Sequence, residues 1–472
     1  MIYNVKDFGA VADGVTLNSK AVQAAVDACS EAGGGTVYFP EGDYVLSTVF
    51  LKSNVTIEIP RGTKILGSLN FYDFEPEEKV DYPLYQDVSH SFFNCSLFVG
   101  RDCDNIAILG GGVIDMRSVW DEDNVRNIVN RGPRCIALLR CNNVTVCNLE
   151  IYNATDLAVY FTACEEVEIY GLKMRVYIDG VSPDNSKNVK IHDCEIEAGD
   201  DAIVFKSSYN QNKIDVCRNI HVWNCKLRSR CSSLKFGTET NGGFENILIE
   251  NITITDTRIT GIAIESVDGA IIDGVTIRNV TMENVNAPLF IHIGQRMRGP
   301  AGREIGRIRN ILIENVVARG PYHEYEIIET YYRTYKMQDH IQYPWVFLGK
   351  MQPENSLSLI PRPDFDEVKL NRYVDWQMTS NCCGLPGIPL ENITLRNFYF
   401  SLDGGCQSFN PDVPDANGKY PEVYCYGKIL PAKGIYFRHI DGLTVENFRV
   451  ETERPDIREP LVFEDIKDLV VR

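Results

Sequence analysis

No apolar stretch of this 472-residue chain approaches the roughly 20 residues a helix needs to cross a bilayer, so none of its helices is expected to span one. Met1 leads directly into "IYNVKDFGAVADG", with neither a basic leader nor an apolar one, and the reading that follows is a cytoplasmic protein. Positive charge is also short. Lys and Arg number 47 against 65 Asp and Glu, a net charge of −18, which argues against nucleic acid or an anionic membrane as partner, since both need a basic surface. A polyanionic substrate would require a local cationic patch. Clustered cysteine is missing too: the 15 cysteines stand singly except for Cys382-Cys383, without the spacing of a zinc site, so reduced and mostly buried thiols are expected.

What the chain has in quantity is one short pattern. It returns as "NVTVCNLEI", "EVEIYGLKM", "NVKIHDCEI", "NIHVWNCKL", "NILIENITI", "AIIDGVTI", "NILIENVVA", "NITLRNFYF" and "GLTVENFRV". Each is a short alternating strand, a turn residue and a second apolar strand. Four places after the first apolar residue stands Asn148, Gly171, Asp193, Asn224, Asn251, Gly274, Asn315, Asn397 or Asn447, residue types that tolerate the left-handed backbone of a sharp bend. The spacing, from Val144 to Val167, Val189, Ile220, Ile247 and Ala270, is too short for a domain and fits one coil of a solenoid. Coils stacked as parallel strands about 4.8 Å apart make a β-helix. Neither a propeller nor a leucine-rich repeat has its signature here.

The whole chain, 1–472, therefore reads as a single all-β solenoid domain. Residues 1–70 would hold an N-terminal cap and the first coils, with the one convincing helix in "NSKAVQAAVDACSEAGGG", Asn18 to Gly35, closing the open end. The repeat is lost between Ala318 and about Asn392, which predicts an inserted segment over 319–391. It is rich in aromatic residues (Tyr322, Tyr325, Tyr331, Tyr332, Tyr335, Tyr343, Trp345), and such rings would suit a lid that stacks on sugars, or simply pack the insertion onto the solenoid.

"EIEAGDDAIVFKS" sets Asp200 beside Asp201 at the mouth of an apolar strand. Counted from the first apolar residue of each coil, Asp156 and Asp179 fall at place twelve and Asp200 and Asp201 at eleven and twelve, so the four carboxylates are expected on one face of adjacent coils. Repulsion between near neighbours is a cost usually kept only where a raised pKa or two-carboxylate chemistry is needed. Glycoside hydrolysis needs both: one carboxyl protonates the leaving oxygen while another deprotonates water.

"YIDGVSPDNSKNVKIHDCEIEAGDDAIVFKSS" resembles the active-site stretch of glycoside hydrolase family 28, the polygalacturonase family of right-handed parallel β-helices, in which an Asn-Thr-Asp-Gly segment precedes a Gly-Asp-Asp segment by about one coil. "DFGAVADGVTLNSKAVQAAVDA" and "LPAKGIYFRHIDGLTVENF" also resemble pectin-acting members. The resemblance implies that Asp200 is the general acid, that Asp179 and Asp201 hold and activate water, and that the anomeric centre is inverted. It implies no metal and no cofactor.

Three family elements are replaced. Asn-Thr becomes Tyr177-Ile178, Gly-His-Gly becomes Cys231-Ser232-Ser233, and Arg-Ile-Lys becomes Ala263-Ile264-Glu265. In the family that Arg and Lys clamp the carboxylate of the leaving sugar, so Glu265 in their place would repel a uronate. A neutral leaving sugar, as in rhamnogalacturonan, or a wholly neutral glycoside fits better than plain polygalacturonan, with exo action expected. Lys206, Lys235, Glu239, Glu265 and Asp156 are the substrate-binding candidates, Glu265 either bonding sugar hydroxyls or simply facing outward. His192 and His221 fall in turns away from the aspartates and read as surface or packing residues. Two other classes compete: a β-helix lyase or epimerase acting on uronates, and a binding β-helix with a dead site, which the intact aspartate set disfavours. The partner expected is an oligosaccharide, and the oligomeric state is open.

Overall fold

A segment that is apolar at every second residue can bury only one face, and in this chain each such segment buries it against the coil below. The computed structural model describes residues 1–86, 88–119, 131–320, 322, 377–416 and 418–472, together with the backbone of the short antiparallel strands Ile328–Tyr332, Val346–Leu348 and Phe365–Val368. The remaining strands form a right-handed parallel β-helix with three ladders. The first runs through Val55–Ile59, Asp104–Gly110, Asn142–Cys147, Glu165–Tyr170, Lys187–His192 and Val216–Trp223. The second contains Thr63–Gly67, Val113–Asp115, Glu150–Tyr152, Lys173–Val176, Glu195–Ala198 and Lys226–Ser229. The third, which carries the site, contains Ser96–Arg101, Arg134–Leu139, Val159–Thr162, Val181–Asp184, Ile203–Ser207 and Ser232–Thr240.

The interior is a pile of matched apolar rows. Ile106, Val144, Val167, Val189, Ile220, Ile247, Val275, Ile311, Ile393 and Leu443 lie in one register and are all buried, each contributing about 1.5–3 kcal/mol. Outside, charges alternate along the stack: Glu150, Lys173, Glu195 and Lys226 are successive neighbours, so each coil sets a charge beside one of opposite sign. On the same exterior His192 stacks between Tyr170 and Trp223, at ring-centroid distances of 5.1 and 4.2 Å, and has a packing role.

The nine turn residues expected from the repeat all have positive φ, from 51° at Asn447 to 73° at Gly274. One was misframed. Ile247 pairs with Val275, not Ala270, so the coil reads "GVTIRNVTM": Asn279 continues the Asn251 corner, and Gly274 belongs to a second corner with Asn246 and Asn310. Side-chain amides run up the first corner, Asn279 donating to Asn251 at 3.0 Å, Asn315 to Asn279 at 3.0 Å and Asn397 to Asn315 at 2.8 Å. Asn315→Ala should lose two of these bonds and strain a φ of 58°, costing about 1–2 kcal/mol, with Asn315→Gly recovering the strain but not the bonds. Urea midpoints of the two variants check this; an alanine variant as stable as the parent would refute it.

The expected helix spans Ser19–Glu31 and lays Val22, Ala25, Val26 and Cys29 over the first coil. Asn18 does not cap it; its side chain instead ties Val11 and Thr16. All 15 cysteines are free and buried. Among the described residues no helix is long and apolar enough to cross a membrane. The coils resume at Ser380–Cys383, inside the span 319–391 expected as an insertion, where this strand pairs with the end of the Ile271–Ile293 run. Of its aromatic residues Tyr322 is buried, while the side chains of Tyr325, Tyr331, Tyr332, Tyr335, Tyr343 and Trp345 lie outside the described residues. Two excursions have no trace in the repeat count: residues 68–95, between strands Thr63–Gly67 and Ser96–Arg101, and residues 405–431, between Leu390–Gly404 and Ala432–Arg454.

Candidate active site

Val181 pairs with Ile203, which places the residues just before these two strands, Asp179 and Asp201, in neighbouring coils at one height. The Asp201 backbone N–H donates to Asp179 Oδ1 at 3.2 Å, and Asp201 Oδ1 accepts from the Ser232 backbone N–H at 3.0 Å. Gly180 is required between them and the strand, because a Cβ there would sit 2.5 Å from the Ala202 carbonyl oxygen. Asp179 and Asp201 are buried, whereas Asp200 keeps part of its surface open at the mouth.

Two lysines neutralise this group. Lys206 Nζ lies 3.5 Å from Asp179 and 3.1 Å from Glu239, which a two-residue excess in Ser232–Thr240 bulges out to meet it. Lys235 Nζ lies 3.6 Å from Asp201, 3.9 Å from Glu265 and 3.2 Å from Glu422. Lys206, Lys235 and Glu239 are all buried with the aspartates, so the structure brings seven of the eight residues named from sequence into one cluster.

Asp156 is the exception. Val144 pairs with Val167 but Val159 with Val181, so the upper coil is one residue shorter between these points and the place-twelve count slips. Asp156 is fully buried, 3.6 Å from Arg131, 3.7 Å from Arg134 and hydrogen-bonded by Ser89 at 3.1 Å. It anchors the 68–95 excursion rather than facing a substrate. Glu265 also departs from expectation: it is wholly buried beneath Lys235, neither outward nor open to sugar hydroxyls.

Burial raises the pKa of all three aspartates. At Asp179 Lys206 opposes burial; at Asp200 the charge of Asp201 adds to it; Asp201 is pushed up to about 6 by burial, against the pull of Lys235. Glu239 goes the other way, held well below the carboxylate range by Lys206 in spite of its burial. The carboxylates around Lys206 and Lys235 likewise outweigh burial and keep both ammonium groups charged. The arrangement thus sets carboxyls whose pKa is raised beside one whose pKa is lowered, the contrast that acid–base chemistry across a bond uses. Asp200, Asp201 and Cys231 bring ligand atoms within 4.8 Å of one another, a spacing open to a metal, but Lys235 already supplies the cation at Asp201 and the Cys231 thiol is occupied donating to Glu422.

Sequence reading missed Glu422, Tyr420, His90, Arg131 and Arg296. Glu422 and Tyr420 come from the 405–431 excursion and His90 from the 68–95 excursion, where no repeat frame assigns a height. His90 lies 3.9 Å and Arg296 3.8 Å from Glu239, and the charge of Arg131 acts on both Asp179 and Asp200. The Tyr420 phenol is pushed up by burial and feels Lys235, Glu422, Glu239 and Asp200.

A "Probable polygalacturonase" of Vitis vinifera is 26% identical over 257 residues, covering 51% of this chain and 52% of its own. The "Exo-poly-alpha-D-galacturonosidase" of Dickeya chrysanthemi is 25% identical over 298 residues, 52% of this chain and 49% of its own. The chain spans about half the length of these curated relatives. The family 28 exopolygalacturonase of Yersinia enterocolitica superposes with a TM-score of 0.68 at 18% identity, over 99% of this chain and 78% of that one, and shares the fold. The family model for glycosyl hydrolases family 28 matches residues 29–322, a span that holds Asp179, Asp200 and Asp201, and this chain belongs to that family.

Proposed function

We propose that this chain is an inverting glycoside hydrolase that removes sugars from the end of a plant-derived, pectic oligosaccharide inside the cytoplasm, with a neutral residue such as rhamnose on the leaving side. The observation that carries the hydrolase reading is the pair Asp179 and Asp201, joined to each other and paired with Lys206 and Lys235, with Asp200 beside them at the mouth. Asp200, at the mouth, gives its proton to the glycosidic oxygen as the bond to the anomeric carbon breaks, so the leaving sugar departs as an alcohol. Water held by Asp179 and Asp201 attacks from the other face, and its proton passes to that carboxylate pair. The nearest oxygens of Asp200 and Asp201 lie within 4.8 Å, less than the about 6.5–9.5 Å between carboxyls usual in inverting sites, so the inverting assignment rests on the family and not on this distance.

The relatives are named for galacturonan and for exo action, and the latter supports the exo reading. The neutral-sugar reading is supported by the charge count: Lys206 is shared by Asp179 and Glu239, and Lys235 by Asp201, Glu265 and Glu422, so neither is free to hold a uronate. With purified protein, rhamnogalacturonan oligosaccharides should be cleaved with a kcat/KM at least tenfold above that for oligogalacturonates of equal length, the effect of about 1.4 kcal/mol of charge discrimination. Efficient cleavage of oligogalacturonate would overturn the specificity and leave the hydrolase reading standing. Asp201 must be ionised to take the water's proton, so kcat/KM should fall tenfold per unit as pH drops below about 6. A profile flat down to pH 4 would contradict that role.

A further inference from the structure

Lys235 faces three carboxylates that one cation cannot neutralise: Asp201, Glu265 and Glu422. They differ in how they are held. Glu265 is fully buried, and neither of its oxygens has a hydrogen-bond partner among the described residues. A carboxylate in that state is costly, so Glu265 carries a proton, as its strongly raised pKa agrees. Glu422 Oε1 instead accepts from Lys235 at 3.2 Å and from the Cys231 thiol at 3.7 Å; its Oε2 has no partner among the described residues and burial raises its pKa, but these two donors pull the other way and favour its ionised form over that of Glu265. Glu422 is also the one member of the set that no coil supplies. It enters from the 405–431 excursion, whose turn is pinned by Cys425 N–H donating to the Glu422 carbonyl at 2.7 Å and by Asn381 donating to the Val423 carbonyl at 3.0 Å.

We propose that Glu422 is a positioning residue: by competing with Asp201 for Lys235, it sets the pH at which Asp201 serves as the base, so that the 405–431 excursion tunes a site built by the coils. This rests on the reading of Asp201 as a water-activating carboxylate. The other charged and titratable groups around Lys235 and Asp201 are Asp179, Asp200, Lys206, Cys231 and Glu239 from the coils, Tyr420 and Tyr424 from the excursion, and Arg131 and Arg296 at the rim. Glu239 and Asp179 are committed to Lys206, and Arg296 to Asp268 and Thr238, so Glu422 is the ionised group that draws most directly on Lys235.

The sign follows from charge. Glu422→Gln keeps the shape, removes an anion and leaves Lys235 to Asp201, so Asp201 should lose its proton at lower pH. The midpoint should fall by on the order of one pH unit, the effect of one opposite charge at about 4–6 Å. Glu422→Asp, which draws the anion back, should shift it in the same direction by less, and serves if the Gln variant does not fold. The measurement is the pH titration of the Asp201 carboxyl carbon in 13C-aspartate-labelled protein, assigned with Asp201→Asn, alongside the acid limb of kcat/KM on rhamnogalacturonan oligosaccharides. An acid shift of the carbon titration in folded Glu422→Gln protein supports the proposal. An unmoved midpoint, with or without loss of activity, overturns it and leaves Glu422 a purely structural group. Absence of hydrolysis by every variant, with the carbon midpoint still displaced, would refute the hydrolase reading alone.

Discussion

Asp200→Asn is expected to reduce turnover by about 10²–10⁴-fold while leaving the fold intact, the loss typical of an absent proton donor. Asp200 is the one of the three aspartates that is only half-buried, so it is the most open to a glycosidic oxygen. Burial and the adjacent charge of Asp201 raise its pKa, the direction that favours the protonated form an acid needs. Asparagine matches its size and removes the repulsion with Asp201, so thermal stability should stay level or rise. The loss should be large on natural oligosaccharides and small on an activated aryl glycoside whose leaving group needs no proton. Near-parental turnover of a natural oligosaccharide would remove Asp200 from the acid role, and an equal loss on both substrates would point to a binding defect instead.

Lys235→Met should cost about 3–5 kcal/mol of stability above pH 7, because it removes the ammonium that pairs the buried Asp201 and Glu422. The pH dependence separates this charge effect from simple loss of packing. A carboxyl whose folded pKa lies above its unfolded value contributes stability below the unfolded value and loses it as pH rises through the folded one. Asp201, at about 6 when folded against about 3.9 unfolded, already behaves this way, and without Lys235 its folded pKa moves higher still. The deficit of the methionine variant should therefore shrink as pH falls from 8 to 5, where the carboxyls regain protons. Melting curves at the two pH values check this; a deficit independent of pH would show that Lys235 matters only as packed volume.

The fold was legible because a β-helix repeats its physics. Each coil must bury one apolar row and turn at a residue that tolerates positive φ, and those two demands leave the row from Val144 to Leu443 and the corner from Asn148 to Asn447 in plain view. Periodicity misleads where coil length changes inside a coil: Val275, not Ala270, continues the row, and Asp156 stands off the height of Asp179 because Val167 to Val181 is one residue shorter than the paired Val144 to Val159. The third-ladder residues Asp179, Asp200, Asp201, Lys206 and Lys235 were legible for the same reason as the fold, since coil phase gives their height. Glu422 was not. Its position follows from where the 405–431 excursion lands, 187 residues beyond its partner Lys235, and no periodicity governs that path. Glu265 shows a subtler limit: its place on the ladder was readable, but that Lys235 roofs it, so that it meets an ammonium group and not a sugar, depends on side-chain packing.

The central claim, that these carboxylates hydrolyse a glycosidic bond by a single displacement, is tested most directly by following the first product by proton NMR while an α-linked rhamnogalacturonan oligosaccharide is cleaved, before mutarotation sets in. The arrangement of Asp200 as acid and Asp179 with Asp201 as the water-activating pair predicts that the new reducing end appears first as the β-anomer. An α-anomer formed first would mean a covalent intermediate and a different division of roles among the three aspartates, contradicting the account.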